Sequence, residues 1–133
     1  MPHLNIHISP IRYVREHFFD DCKYVICSEW PHRELEESDN ALVLKFADTE
    51  VPDHLRVFTK SMAEKIICFL TEYKGDVFIC CDSGESRRAA IAAALMKADG
   101  QDERTVLESP EYHPNKLVYR TMLETLQLVE DKV

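Results

Sequence analysis

Val77, Phe78, Ile79 and Cys80 form a short apolar run of strand-forming residues. A few polar residues later the stretch from Ala89 to Met96 is apolar on every side, and Gly100 follows it. A strand buried on both faces that feeds a helix buried all round leaves few architectures open, because both must lie inside the protein with other layers against them. That pairing points to an α/β layer fold with parallel strands.

The remaining segments fit this frame. Tyr24-Val25-Ile26-Cys27 and Leu42-Val43-Leu44 read as two more strands buried on both faces. From His3 to Ile8 polar and apolar residues alternate, so a strand with one wet face, near a sheet edge, is predicted there. A helix over residues 10 to 19 is expected, with Ser9 as its cap, Pro10 at its first position and Ile11, Val14 and Phe18 facing inward. Residues 34 to 40 are acidic and mostly solvated, and Ala47 to His54 is a polar loop broken by Pro52. A long helix carries the stripe Leu55, Phe58, Met62, Ile66, Phe69, Leu70 and Tyr73, closed by Gly75. A short helix near Asp102 to Glu108 and a terminal one from Asn115, with Tyr119, Met122, Leu126 and Val129 inward, complete the pattern. The expected fold class is α/β: a single domain over residues 1–133 whose central, mostly parallel sheet of four to five strands is flanked by helices. In such sheets ligands bind where strand C-termini meet helix N-termini.

Charge and cysteine usage narrow the function. With 16 basic against 24 acidic residues the net charge is −8, and the one adjacent basic pair is Arg87-Arg88, so a nucleic-acid partner is not expected. The longest apolar stretch falls far short of the roughly 18 residues that span a bilayer, so no membrane partner is expected either. The start, Met1-Pro2-His3-Leu4-Asn5, lacks a secretory pattern, which predicts a cytoplasmic protein. Five cysteines, an odd number in a reducing compartment, argue against a disulfide framework. Cys22 and Cys27 lack metal spacing, Cys68 sits in a helix, and no histidine pattern suggests a ligand set, so no metal site is expected. Oligomeric state leaves no mark in the sequence.

The strand-to-helix junction itself reads Cys80-Cys81-Asp82-Ser83-Gly84-Glu85-Ser86-Arg87. A loop closing onto a helix N-terminus turns backbone N–H groups inward, and with the helix dipole they make an anion cradle. Cys81 would stand at its base, where the same field stabilises a thiolate. Gly84 suits the tight part of the loop, and Arg87 can fork two hydrogen bonds onto phosphate oxygens. Cys80 points to the opposite face of the strand and reads as a buried small hydrophobe.

These residues resemble the signature of the protein tyrosine phosphatase superfamily, a Cys and an Arg with five residues between them, usually written HCxxGxxR and followed by Ser or Thr. The match consists of Cys81, Gly84 and Arg87, late in the chain as in the compact bacterial and dual-specificity types. Family members carry a general-acid Asp on a loop upstream of the nucleophile, which the resemblance assigns to Asp48, with Asp53, Glu50 and Asp20 as competitors. The resemblance implies a phosphatase-like fold and hydrolysis of phosphomonoesters through a phosphocysteine, on a phosphorylated protein or small aryl phosphate. It makes Cys81, Arg87 and Asp48 catalytic and gives substrate binding to Asp82, Ser83, Gly84, Glu85, Ser86 and Arg87. Asp82 and Glu85, where phosphoinositide-directed relatives usually place Lys, favour a phosphotyrosine-like monoester.

Two positions depart from the pattern. Cys80 stands where His is usual, and Arg88 where a hydroxyl normally helps the thiolate leave, which implies slow breakdown of the intermediate unless Ser86 or Ser83 substitutes. Two alternatives follow: a phosphate-binding module without turnover, and rhodanese-like sulfur transfer or arsenate reduction. The loop lacks the second redox cysteine the latter would use.

Overall fold

The computed structural model describes residues 4–11, 21–29, 37–81 and 86–127. Strands β1 (Leu4–Pro10), β2 (Lys23–Ser28), β3 (Ala41–Lys45) and β4 (Gly75–Cys81) form a sheet in the order β1-β4-β2-β3, with every pairing parallel. Helices α1 (Lys60–Leu70), α2 (Ser86–Ala98), α3 (Arg104–Leu107) and α4 (Lys116–Leu126) accompany it. This is the predicted α/β architecture, with four strands among the described residues.

The central strands β2 and β4 are covered on both faces, as their unbroken apolar runs require, and Tyr24 to Cys27 and Val77 to Cys81 are all buried. The pleat sends alternate residues to two cores. Val25, Cys27, Val77, Ile79 and Cys81 join the larger one with Ala63 and Ile66 of α1, Ala90 and Ile91 of α2, and Val118 and Met122 of α4. Tyr24, Ile26, Phe78 and Cys80 face the other way and pack with Ile11 and Cys22. Helix α2 is buried without a break from Ala89 to Leu95. Its alanines are short enough for one helix to lie against the sheet, α3 and α4 together. Truncating Ile66 or Ile79 to Ala in this close-packed layer would cost about 2–5 kcal/mol.

Several boundaries differ from the sequence reading. β1 is an edge strand among the described residues, as predicted, but it continues through Ser9 and Pro10, which pair with Cys80 and Cys81 instead of capping a helix. A proline without an N–H is tolerated at such an edge. Ile11 is helical; the rest of the helix expected up to residue 19 lies outside the described residues, as do positions 30–36 and Val129. β3 is the other edge, so Leu42 and Val43 are only half-buried where full burial was expected.

The long helix starts at Lys60, five residues later than Leu55, because Thr59 caps it by accepting from Met62 N at 3.3 Å. Leu55 is fully exposed, and Phe58 earns its burial from the loop, where its ring lies 4.8 Å from that of Phe46. Gly75 opens β4 rather than closing the helix. Its φ of +143° strains any other residue, and a Cβ there would stand 3.1 Å from the Tyr73 hydroxyl oxygen. Among the described residues no helix is long and apolar enough to cross a membrane.

Candidate active site

Parallel strands put their C-terminal ends on one edge of the sheet, where Ser28 aligns with Lys45 and Cys27 with Cys81. Cys81 ends β4 and is 1% exposed. Asp82, Ser83, Gly84 and Glu85, the predicted cradle, lie outside the described residues. The described chain resumes at Ser86, the first residue of α2. Next to it the Arg87 side chain is buried, its Nη1 donating to the Phe46 carbonyl at 2.9 Å and its guanidinium carbon 5.9 Å from the Phe46 ring centroid.

Phe46 directly follows β3 and opens the loop that carries Asp48. Phe46 N donates to Ser28 O at 3.0 Å, and Ala47 N to Arg56 O at 2.8 Å, so the loop is closed at its neck and fixed to the sheet edge. Asp48 is exposed, and its Oδ1 accepts a hydrogen bond from Asn115 Nδ2 at 2.8 Å. The same Nδ2 donates to Thr49 O at 3.0 Å, and Asn115 N donates to Ser86 O at 3.0 Å. One buried residue therefore ties the Asp48 loop to the first residue of α2, the helix into which the Cys81 loop runs.

The competing acids stand differently. Asp53 is exposed in a turn of the same loop, and the cap of α1 is Thr59. Glu50 accepts from Lys116 N at 2.8 Å and so binds the N-terminus of α4, where a carboxylate meets the positive end of the helix dipole. Asp20 lies outside the described residues.

The adjacent cysteines are separated by the pleat. Cys80 faces the smaller core with its Sγ 3.5 Å from Ser9 Oγ. Burial pushes its thiol up to about 12, against smaller opposing effects of the Ser9 hydrogen bond and the Arg88 charge. At neutral pH it is a protonated, inert side chain. Arg88 is half-buried, and its Nε has no hydrogen-bond partner among the described residues. No group of three or more His, Cys, Asp or Glu side chains that could hold a metal ion occurs among the described residues.

The sequence marks Cys81, Arg87, Ser86 and Asp48, but it does not show the bond between Asn115, at a helix start, and Asp48. Asn115 does cap α4, its Oδ1 accepting from Val118 N at 3.0 Å. The bonds to Asp48 and Ser86 cross long stretches of chain and leave no local pattern.

Among solved structures the chain is similar to Tk-PTP in its active form, at 17% identity and a TM-score of 0.54, over 97% of this chain and 95% of that one. It is also similar to the human tyrosine phosphatase-like serine/threonine/tyrosine-interacting protein, at 21% identity and a TM-score of 0.50, over 89% of this chain and 83% of that one. No family model matches the chain, and no curated protein does. The chain therefore shares its fold with these two proteins. Fold leaves activity open, and activity must be argued from the site.

Proposed function

We propose that residues 1–133 act as one domain that hydrolyses phosphomonoesters, as a cysteine-dependent protein tyrosine or dual-specificity phosphatase. One observation carries this reading: the nucleophile candidate Cys81 ends β4, while the Asp48 carboxylate is held by Asn115, whose backbone bonds Ser86 beside Arg87. Elements that carry the residues read as nucleophile, anion-binding arginine and acid are thus tied together at the C-terminal edge of the sheet, which supports this reading.

The reaction is two in-line displacements. The Cys81 thiolate attacks phosphorus as the bond to the leaving oxygen breaks, and Asp48 gives that oxygen its proton. A water then attacks the phosphocysteine, Asp48 takes the water's proton, and the electron pair returns to the Cys81 sulfur. Arg87 holds the phosphoryl oxygens through both steps, together with residues 82–86, to which the sequence reading gives substrate binding. None of these steps calls on a metal or organic cofactor. The substrate is a phosphorylated protein or small aryl phosphate, with Asp82 and Glu85 disfavouring a polyphosphorylated lipid, and the setting is cytoplasmic.

A second reading, a phosphate-binding module without turnover, is favoured by one observation, Arg88 in the place of the usual hydroxyl. Phosphate release from a nitrophenyl phosphate separates the two. Steady turnover supports the hydrolase, and tight binding of vanadate with no phosphate released supports the module.

A further inference from the structure

We propose that Asn115 is a positioning residue for the general acid, holding the Asp48 carboxylate in the place from which it protonates the leaving oxygen. This rests on the reading of Asp48 as the acid.

The side chain's orientation follows from its partners. Val118 N can only donate, so Oδ1 of Asn115 faces it at 3.0 Å, and Nδ2 is left to face Asp48 Oδ1 at 2.8 Å and Thr49 O at 3.0 Å. Both amide hydrogens and the amide oxygen are engaged, and the residue is 1% exposed. An amide so fully committed and buried has one orientation, and a carboxylate bonded to it inherits that orientation. Because Asn115 occupies Oδ1, the proton for the leaving group belongs on Oδ2 of the otherwise exposed Asp48. The backbone of Asn115, bonded to Ser86 O, refers this arrangement to the start of α2, and Lys116 N on Glu50 Oε2 at 2.8 Å adds a second tether between the loop and α4.

A cap alone would need neither the bond to Asp48 nor the one to Thr49. Two variants separate capping from positioning. Asn115→Ala loses both, whereas Asn115→Ser keeps a capping oxygen but is too short to reach the Asp48 carboxylate. The measurement is kcat/KM for a nitrophenyl phosphate, whose leaving group needs little protonation, against phosphotyrosine, whose leaving group needs much, with the thermal midpoint recorded for each protein. In both variants phosphotyrosine should slow by about tenfold or more relative to the nitrophenyl ester, and combining Asn115→Ser with Asp48→Asn should add nothing to Asp48→Asn alone. If Asn115→Ala fails to fold, Asn115→Ser carries the test. Equal slowing of both substrates, or slowing that tracks lost stability, overturns the assignment of Asn115 and leaves the phosphatase reading standing. If Asp48→Asn itself treats the two substrates alike, the acid assignment fails, and the role of Asn115 fails with it.

Discussion

Arg87 donates from Nη1 to the carbonyl of Phe46 at 2.9 Å, across 41 positions of sequence. The bond joins the first turn of the helix that follows the Cys81 strand to the residue that opens the Asp48 loop. A side chain proposed to hold phosphate thus also fixes where the acid loop begins, so substitutions at Arg87 act on structure and chemistry together.

Arg87→Lys keeps the charge but loses the planar fork, and should lower kcat for an aryl phosphate by about a hundredfold or more. Arg87→Ala should in addition lower stability by about 1.5–3 kcal/mol, the worth of a charge-assisted bond to a buried carbonyl. Urea unfolding of the two variants beside the wild type checks the second effect, and steady-state kinetics the first. An Arg87→Lys protein as active as the wild type would remove Arg87 from the mechanism.

Asp48→Asn should slow phosphotyrosine hydrolysis far more than that of a nitrophenyl ester, because only the poorer leaving group needs the proton. Asp53→Asn is the control, since Asp53 is exposed and stands in a turn of the same loop. The reverse pattern, with Asp53→Asn showing the leaving-group dependence, would transfer the acid role to Asp53.

The part of this arrangement legible in the sequence is the part encoded by neighbouring residues. Val77 to Cys80 and Ala89 to Leu95 announce their burial through composition, and the spacing of Cys81 and Arg87 marks the junction between them. Boundaries fared worse where a loop residue happened to continue a helical spacing. Leu55 and Phe58 extend the α1 stripe on paper, yet Leu55 is fully exposed and Phe58 packs on Phe46 from outside the helix. The Asn115 tether was invisible because its partner lies 67 positions away, and an Asn before a helix is fully accounted for by capping.

Cys80 gives a prediction about pH. Burial raises its thiol from 9.0 to about 12 in the folded protein, so the fold holds it neutral while the unfolded chain would ionise it near 9.0. A raised folded-state value contributes stability that is present below pH 9.0 and is lost as the pH rises toward about 12. Wild-type stability in urea should therefore decline on the alkaline side of that window more steeply than that of Cys80→Ala. Parallel curves for the two proteins would mean that the thiol does not sense the fold.

Phosphate or vanadate should bind between Cys81 and Arg87, where the sequence predicts an anion cradle at the N-terminus of α2. Either anion should inhibit aryl phosphate hydrolysis competitively and raise the thermal midpoint with concentration. A midpoint insensitive to both anions would contradict the cradle.

The most direct test of the account is phosphate release from an aryl phosphate by Cys81→Ser, measured beside the wild type in the same assay. The hydroxyl keeps the shape of the thiol but is a far weaker nucleophile, so turnover should fall by about four orders of magnitude while vanadate still binds. A Cys81→Ser protein that releases phosphate at near the wild-type rate would contradict the covalent route and the assignment of Cys81 on which it rests.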